Sequence, residues 1–164
     1  CAIRGGHLDD SEMVAKHVCD VNLGLYAAPR YLDEHGPIVT PEDLTKARKI
    51  SWLNAKGAWR LMSKHDAVDI RAQECMLFDD PEIAIQSCIA GSGACPGAPF
   101  AVQTHVQEGT LVPILPQWHF TPRPIHIVYP TKKHLSTRVR NFADWAFETM
   151  KSDKGLHLTP QDLA

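Results

Sequence analysis

Pro124-Ile125-His126-Ile127-Val128-Tyr129-Pro130 followed by Leu135-Ser136-Thr137-Arg138-Val139-Arg140-Asn141-Phe142 reads as a buried strand closed by proline and then a capped amphipathic helix. The strand is β-branched or aromatic at most positions, and Pro130 cannot extend a hydrogen-bonded ladder. Ser136 supplies an N-cap oxygen for the helix. Beyond it, Val139, Phe142, Ala146 and Met150 recur at helical spacing, with Phe147 widening the face. Such a stripe marks a helix laid on a core and carries no chemistry of its own. Immediately upstream, Leu111-Val112-Pro113-Ile114-Leu115-Pro116 and Trp118 form a second apolar segment.

Working outward, strand and helix signals alternate, with proline and glycine at the joints, which favours an α/β architecture. Ala2 to Arg4 reads as a strand, and Met13 to Val18 and Val21 to Ala28 as β-rich runs. Pro29 pre-sets a short helix through Tyr31 and Leu32 that leaves at Gly36. Thr40-Pro41-Glu42-Asp43 is a further helix start, with a capping hydroxyl and acids at the positive end of the dipole. Lys49 to Trp52, Ala58 to Met62 and Ala72 to Leu77 read as strands of one small sheet, with Asn54 to Gly57 turning between the first two. Asp80 caps a helix that ends at Gly91, its buried stripe carried by Ala84, Ile85, Cys88 and Ile89. Another helix from Pro99 turns Val102 and Val106 inward and stops at Gly109.

Composition narrows the function classes. With 164 residues, 44% hydrophobic and 22% charged, the chain is globular and long enough for one large domain or two small lobes. A formal charge of -2 lacks the basic footprint of a nucleic-acid surface. The most apolar stretch, residues 89–102, is broken by Gly91, Gly93, Pro96, Gly97 and Pro99, so no membrane span is expected. Five cysteines with no C-x-x-C pair suggest neither a disulfide framework nor a zinc ribbon, and point to a reducing cytoplasm. Cys1-Ala2-Ile3-Arg4 reads as the end of a buried strand without methionine or leader, which predicts a piece of a longer protein.

These segments, in their order and spacing from residue 2 to residue 148, closely resemble the effector-sensing domain of LysR-type transcriptional regulators. Ala2-Ile3-Arg4-Gly5-Gly6 resembles the strand and turn that open the family's ligand cleft. Tyr26-Ala27-Ala28-Pro29-Arg30-Tyr31-Leu32 with Gly36-Pro37 is similar to its first crossover, and Pro41-Glu42-Asp43-Leu44 to the element that follows. Leu77-Phe78-Asp79-Asp80-Pro81-Glu82-Ile83-Ala84 with Ala90-Gly91-Ser92-Gly93 resembles the helix that floors the cleft in the second lobe, although Ala94 to Pro99 is less apolar than the family's usual segment.

The resemblance implies two Rossmann-like α/β lobes joined by two crossover strands, in the manner of type 2 periplasmic binding proteins. The first lobe is expected over residues 1–28 and 98–164, incomplete because its opening strands lie upstream in the family, and the second over residues 29–97. It further implies a small-molecule effector bound between the lobes, DNA binding through an upstream winged helix-turn-helix domain absent from these residues, assembly as a homodimer or homotetramer, and no cofactor, metal or membrane.

Among individual residues, Arg4 offers a guanidinium fork for a carboxylate, and Gly5 and Gly6 let backbone N–H groups approach the same ligand. The structural alternative pairs Arg4 with Asp9 or Asp10. Ser51 and Trp52 end one strand, Phe78 and Asp79 another, so these four are candidates for lining an apolar pocket with a few placed polar groups. Core packing is the alternative for each aromatic. Catalytic signatures are lacking: Ser92 has Ala90 where a nucleophile elbow needs glycine, Cys95 has no local nucleophile signature, and the nine histidines do not cluster. A periplasmic solute-binding protein is the competing reading, which an upstream signal peptide would favour and an upstream helix-turn-helix would exclude.

Overall fold

The computed structural model of the chain describes residues 1–6, 8, 13–52, 57–130 and 136–164. In chain order the elements are β1 (Ala2–Gly5), β2 (Val14–Val21), β3 (Gly24–Ala27), α1 (Pro29–His35), a 3-10 turn (Pro41–Thr45), β4 (Arg48–Trp52), β5 (Trp59–Met62), β6 (Ala67–Ile70) and β7 (Gln73–Phe78). There follow α2 (Pro81–Ile89), β8 (Cys95–Gly97), α3 (Pro99–Gln107), β9 (Val112–Ile114), β10 (His119–Phe120), β11 (Arg123–Tyr129) and α4 (Thr137–Ser152), and then two further 3-10 turns, Lys154–His157 and Pro160–Leu163. The chain divides into two compact units, residues 1–21 with 122–158 and residues 22–121 with 159–164. The lobe boundaries expected from sequence, at 28/29 and 97/98, lie inside the second unit, because β3, β8 and β9 pair with one another there.

In the first unit, β1, β11 and β2 form an antiparallel sheet in that order. Helix α4 starts at Ser136, whose Oγ accepts the Val139 N–H at 3.4 Å. It buries Ala143 and Ala146, while Lys16 of β2 reaches Asp144 at 3.2 Å and stands 3.7 Å from the centre of the Phe147 ring. The expected core face of this helix needs one correction. Val139, Ala143, Ala146 and Met150 make the inward stripe, whereas Phe142 is 51% exposed and touches the 62% exposed Trp145. Position 142 sits one residue, about 100° of helical rotation, away from the buried Ala143, and both 139/142/146/150 and 139/143/146/150 fit a helical stripe, so spacing does not choose between them.

In the second unit, β4 and β7 are parallel, β3 lies between β8 and β9, and β5 lies between β10 and β6. Backbone N–H groups of Ile50 and Ala94 donate to Ala94 and Arg48 at 2.9 and 2.8 Å, linking β4 to the segment that leads into β8. The three strands expected to share one small sheet do not. The β4/β7 pairing is parallel and requires a crossover, so β5 turns away and pairs with β6, a strand not anticipated from sequence. The expected turn at Asn54 to Gly57 falls mostly outside the described residues.

The core of this unit gathers Leu25, Ala27, Tyr31, Leu44, Ala47, Trp59, Leu61 and Ile114. Each fully buried leucine among them contributes about 1.5–3 kcal/mol relative to exposure. Local punctuation holds as the sequence indicates. Gly36 takes φ +91 at the end of α1, and Asp43 Oδ2 accepts the N–H groups of Thr40 and Val39 at 2.8 and 3.0 Å. The Tyr31 hydroxyl accepts the Arg48 N–H at 2.9 Å and so ties α1 to the start of β4. No helix among the described residues is long and apolar enough to cross a membrane.

Candidate ligand-binding site

Because β4 and β7 run parallel, their carboxyl ends emerge at one edge of the second unit, the edge at which ligands bind in open α/β sheets. The register sets Ser51 beside Leu77 and Trp52 beside Phe78, and Asp79 follows at once. Four of the residues singled out from sequence, Ser51, Trp52, Phe78 and Asp79, are therefore brought together. Their accessibility differs: Ser51 is fully buried with its Oγ unpartnered, Trp52 is 7% exposed, Phe78 is half-buried and Asp79 is exposed. Asp80 caps α2 through the Glu82 N–H at 2.8 Å, so Asp79 is relieved of that duty and makes no hydrogen bond with any described residue.

In the first unit, Arg4 is exposed at the end of β1, opposite His126. Gly5 faces Ile125, whose Cδ1 would lie 3.3 Å from an added Cβ. Gly6 adopts φ +95 and donates its N–H to Pro124 at 2.9 Å, closing the strand. The Arg4 side chain makes no hydrogen bond or ion pair with any described residue, and Asp9 and Asp10, its suggested structural partners, lie outside them.

Lys49 was not anticipated. It lies two residues before Ser51, on the same face of β4, and is only 1% exposed. Its Nζ donates to the Gly57 carbonyl, lies 3.5 Å from Glu74 Oε2, and stands 5.4 Å from the Trp59 ring centre. Nothing in Arg48-Lys49-Ile50-Ser51-Trp52 by itself marks Lys49 as the buried cation, because a charged Arg48 stands beside it. Buried ammonium groups persist only when paired in this way.

The thiols are placed as structural groups. Cys88 Sγ donates to the carbonyls of Tyr26 and Gly93, each at 3.3 Å, and burial pushes its pKa up to about 12. Burial first, and then the neighbouring Cys88, holds the Cys95 thiol well above its ordinary range. Such thiols are poor nucleophiles at neutral pH. Among the described residues no three of His, Cys, Asp and Glu converge on a point that could hold a metal ion. A separate hollow of about 210 Å³ in the second unit is lined by Tyr31, His35, Pro37, Ile38, Asp43 and Lys46, among others, and by none of the candidate ligand-contact residues.

The chain is thus a mixed α/β protein of two units, in one of which Ser51, Trp52 and Phe78 end a parallel strand pair. Residues 1–151 match the family model for the LysR substrate binding domain, and the chain belongs to that family. It is 46% identical over 168 residues to an HTH-type transcriptional repressor of Pseudomonas aeruginosa strain UCBPP-PA14, covering 100% of this chain and 53% of the relative. Identity to the HTH-type transcriptional regulator CrgA of Neisseria meningitidis serogroup C is 27% over 152 residues, covering 91% of this chain and 50% of CrgA. The chain thus spans about half the length of the curated relatives it matches.

Among solved structures, the CrgA regulatory domain superposes with a TM-score of 0.78 at 26% identity, over 90% of this chain and 74% of that one. Full-length AphB, a virulence activator of Vibrio cholerae, gives 0.80 at 24% identity over 89% of this chain and 50% of its own, a likeness of fold. The fold is that of LysR-type regulatory domains, the type 2 periplasmic-binding-like arrangement expected from sequence.

Proposed function

We propose that this chain is the effector-sensing part of a LysR-type transcriptional regulator. Its signal is a small molecule, with DNA bound by a helix-turn-helix domain outside these residues. The observation that carries this reading is the parallel β4/β7 pair, which delivers Trp52, Phe78 and Asp79 to one sheet edge within a chain belonging to the LysR substrate binding domain family. Sensing requires no bond to be made or broken. A ligand alters transcription only through different affinities for two arrangements of the protein, shifting the population of DNA-competent oligomers.

Arg4, Gly5, Gly6, Ser51, Trp52, Phe78 and Asp79 are the proposed contact residues, and self-association as a dimer or tetramer in the cytoplasm completes the reading. The relatives matched are helix-turn-helix regulators, which favours this over nutrient delivery by a periplasmic binding protein. Calorimetric screening of the intact polypeptide against small organic acids tests it, with Arg4→Ala and Asp79→Ala as variants. Saturable binding weakened by either substitution is the expected result, and binding untouched by both removes these residues from the site.

A further inference from the structure

The hollow of about 210 Å³ in the second unit lies where α1 ends and the Pro41–Thr45 turn begins, and neither Trp52 nor Phe78 lines it. It is smaller than the roughly 300 Å³ at which sites for drug-sized molecules begin, so it suits a small metabolite. One wall is fixed from within. The His35 ring stacks on Tyr31, with centroids 4.4 Å apart and planes 19° from parallel, and its Nδ1 donates to the Tyr31 carbonyl at 3.1 Å. A carbonyl can only accept, so Nδ1 carries the proton and Nε2 of the neutral ring is left as an acceptor. Pro37 and Ile38 add apolar surface.

Two opposite charges share this hollow without meeting. Asp43 spends one oxygen on the neighbouring chain: Oδ2 accepts from the Val39 N–H, the Thr40 N–H and the Thr40 hydroxyl at 3.0, 2.8 and 3.1 Å, while Oδ1 accepts from no described residue. Lys46, three residues further on, is exposed. The Thr40 N–H chiefly holds the Asp43 carboxyl below its ordinary range and the Lys46 ammonium adds to this, yet no ion pair closes between the two side chains. A simple cation in the hollow would be repelled by Lys46 and a simple anion by Asp43, whereas a molecule carrying both charges meets attraction at each end. Its ammonium supplies donors for Asp43 Oδ1 and His35 Nε2, and its carboxylate accepts from Lys46, all as charge-assisted hydrogen bonds.

We propose that this hollow is a second small-molecule site, one that takes a zwitterionic α-amino acid with an apolar side chain. Asp43 and His35 hold the ammonium, Lys46 holds the carboxylate, and the side chain lies on Pro37 and Ile38. The site uses none of the residues assigned to effector contact and stands independently of that reading.

Proton NMR of the imidazole C2–H resonances tests this in the intact polypeptide, with His35 assigned through His35→Gln. L-leucine and L-valine are titrated at constant ionic strength beside 4-methylpentanoate and 3-methylbutylamine, which carry one charge each. Either amino acid should move the His35 signal saturably while the exposed His157 of the first unit stays still, and the singly charged compounds should bind at least tenfold more weakly. Lys46→Met, at an exposed site, should weaken the amino acid at least tenfold with the melting temperature unchanged. Asp43→Asn, which keeps an oxygen for the Thr40 and Val39 N–H groups, should weaken it similarly; if that variant fails to fold, Lys46→Met decides. His35 moving no more than His157 with both amino acids would overturn the site, as would saturation that survives Lys46→Met. Equal binding of a singly charged compound overturns the zwitterion assignment. Calorimetric binding of an organic acid that Arg4→Ala or Asp79→Ala weakens, with His35 unmoved by the amino acids, overturns this site and leaves effector sensing standing.

Discussion

Replacing Gly93 with alanine would put a Cβ 2.2 Å from the Arg48 carbonyl oxygen and 2.9 Å from its carbon. Both atoms are backbone of β4, and that oxygen accepts the Ala94 N–H at 2.8 Å. The strands must therefore part by roughly 1 Å, which strains the packing and breaks the bond that joins β4 to the segment before β8. Overpacking of this kind costs about 1–3 kcal/mol, and the lost hydrogen bond adds about 1 kcal/mol. Gly109 is the matched control. It takes φ +72 with no atom within 4 Å of an added Cβ, so Gly109→Ala meets only the left-handed backbone penalty of about 1–2 kcal/mol.

The difference of about 2 kcal/mol corresponds to a urea midpoint lower by about 1 M, for slopes of about 1–3 kcal/mol per M. Tryptophan fluorescence reports this unit selectively in a Trp145→Phe background, because Trp52, Trp59 and Trp118 all belong to residues 22–121. Midpoints for Gly93→Ala and Gly109→Ala that agree within error would refute the close-approach argument.

Three further outcomes follow from charge and burial. Lys49→Met should leave stability unchanged or raise it, since a buried ammonium is exchanged for an apolar side chain of similar length, whereas Lys49→Ala should cost about 2–4 kcal/mol through the cavity it leaves; equal losses in thermal denaturation would argue against this. The Asp43 carboxyl is held below its ordinary range, chiefly by the Thr40 N–H and then by the Val39 N–H. Its folded value lies under its unfolded one, so its stabilisation is complete above about pH 4 and disappears as pH falls through the lower folded value. Melting curves of the wild type and Asp43→Ala should therefore differ at pH 7 and converge in strong acid. Finally, the exposed Cys1 and half-buried Cys75 should react with a disulfide reagent at pH 8 before Cys19, Cys88 and Cys95, which burial protects until denaturant is added.

The helix boundaries were legible because they depend on neighbours in the chain. Pro29, Pro81 and Pro99 start α1, α2 and α3, Asp80 and Ser136 cap α2 and α4, and Gly36 and Gly91 take the left-handed conformations that stop them. The ends of β4 and β7 were equally readable, and with them the candidate residues Ser51, Trp52, Phe78 and Asp79. What escaped was partnership. Nothing local states that β7 rather than β5 lies beside β4, that Phe142 is turned outward while Ala143 is buried, or that Lys49 finds Gly57, Glu74 and Trp59.

The same division holds for the sheet of the first unit. Arg4 stands out in sequence because two glycines follow it, but His17 and His126 are 109 residues apart and acquire meaning only when antiparallel pairing sets them side by side. By itself the sequence determined the α/β class, the helix starts and the family resemblance, all of which arise from short-range backbone preferences and the order of segments, whereas it broke β2 (Val14–Val21) after Val18. Tertiary structure alone decided strand neighbours, exposed faces and the charge environment of each polar group, because those depend on contacts between residues far apart in the chain.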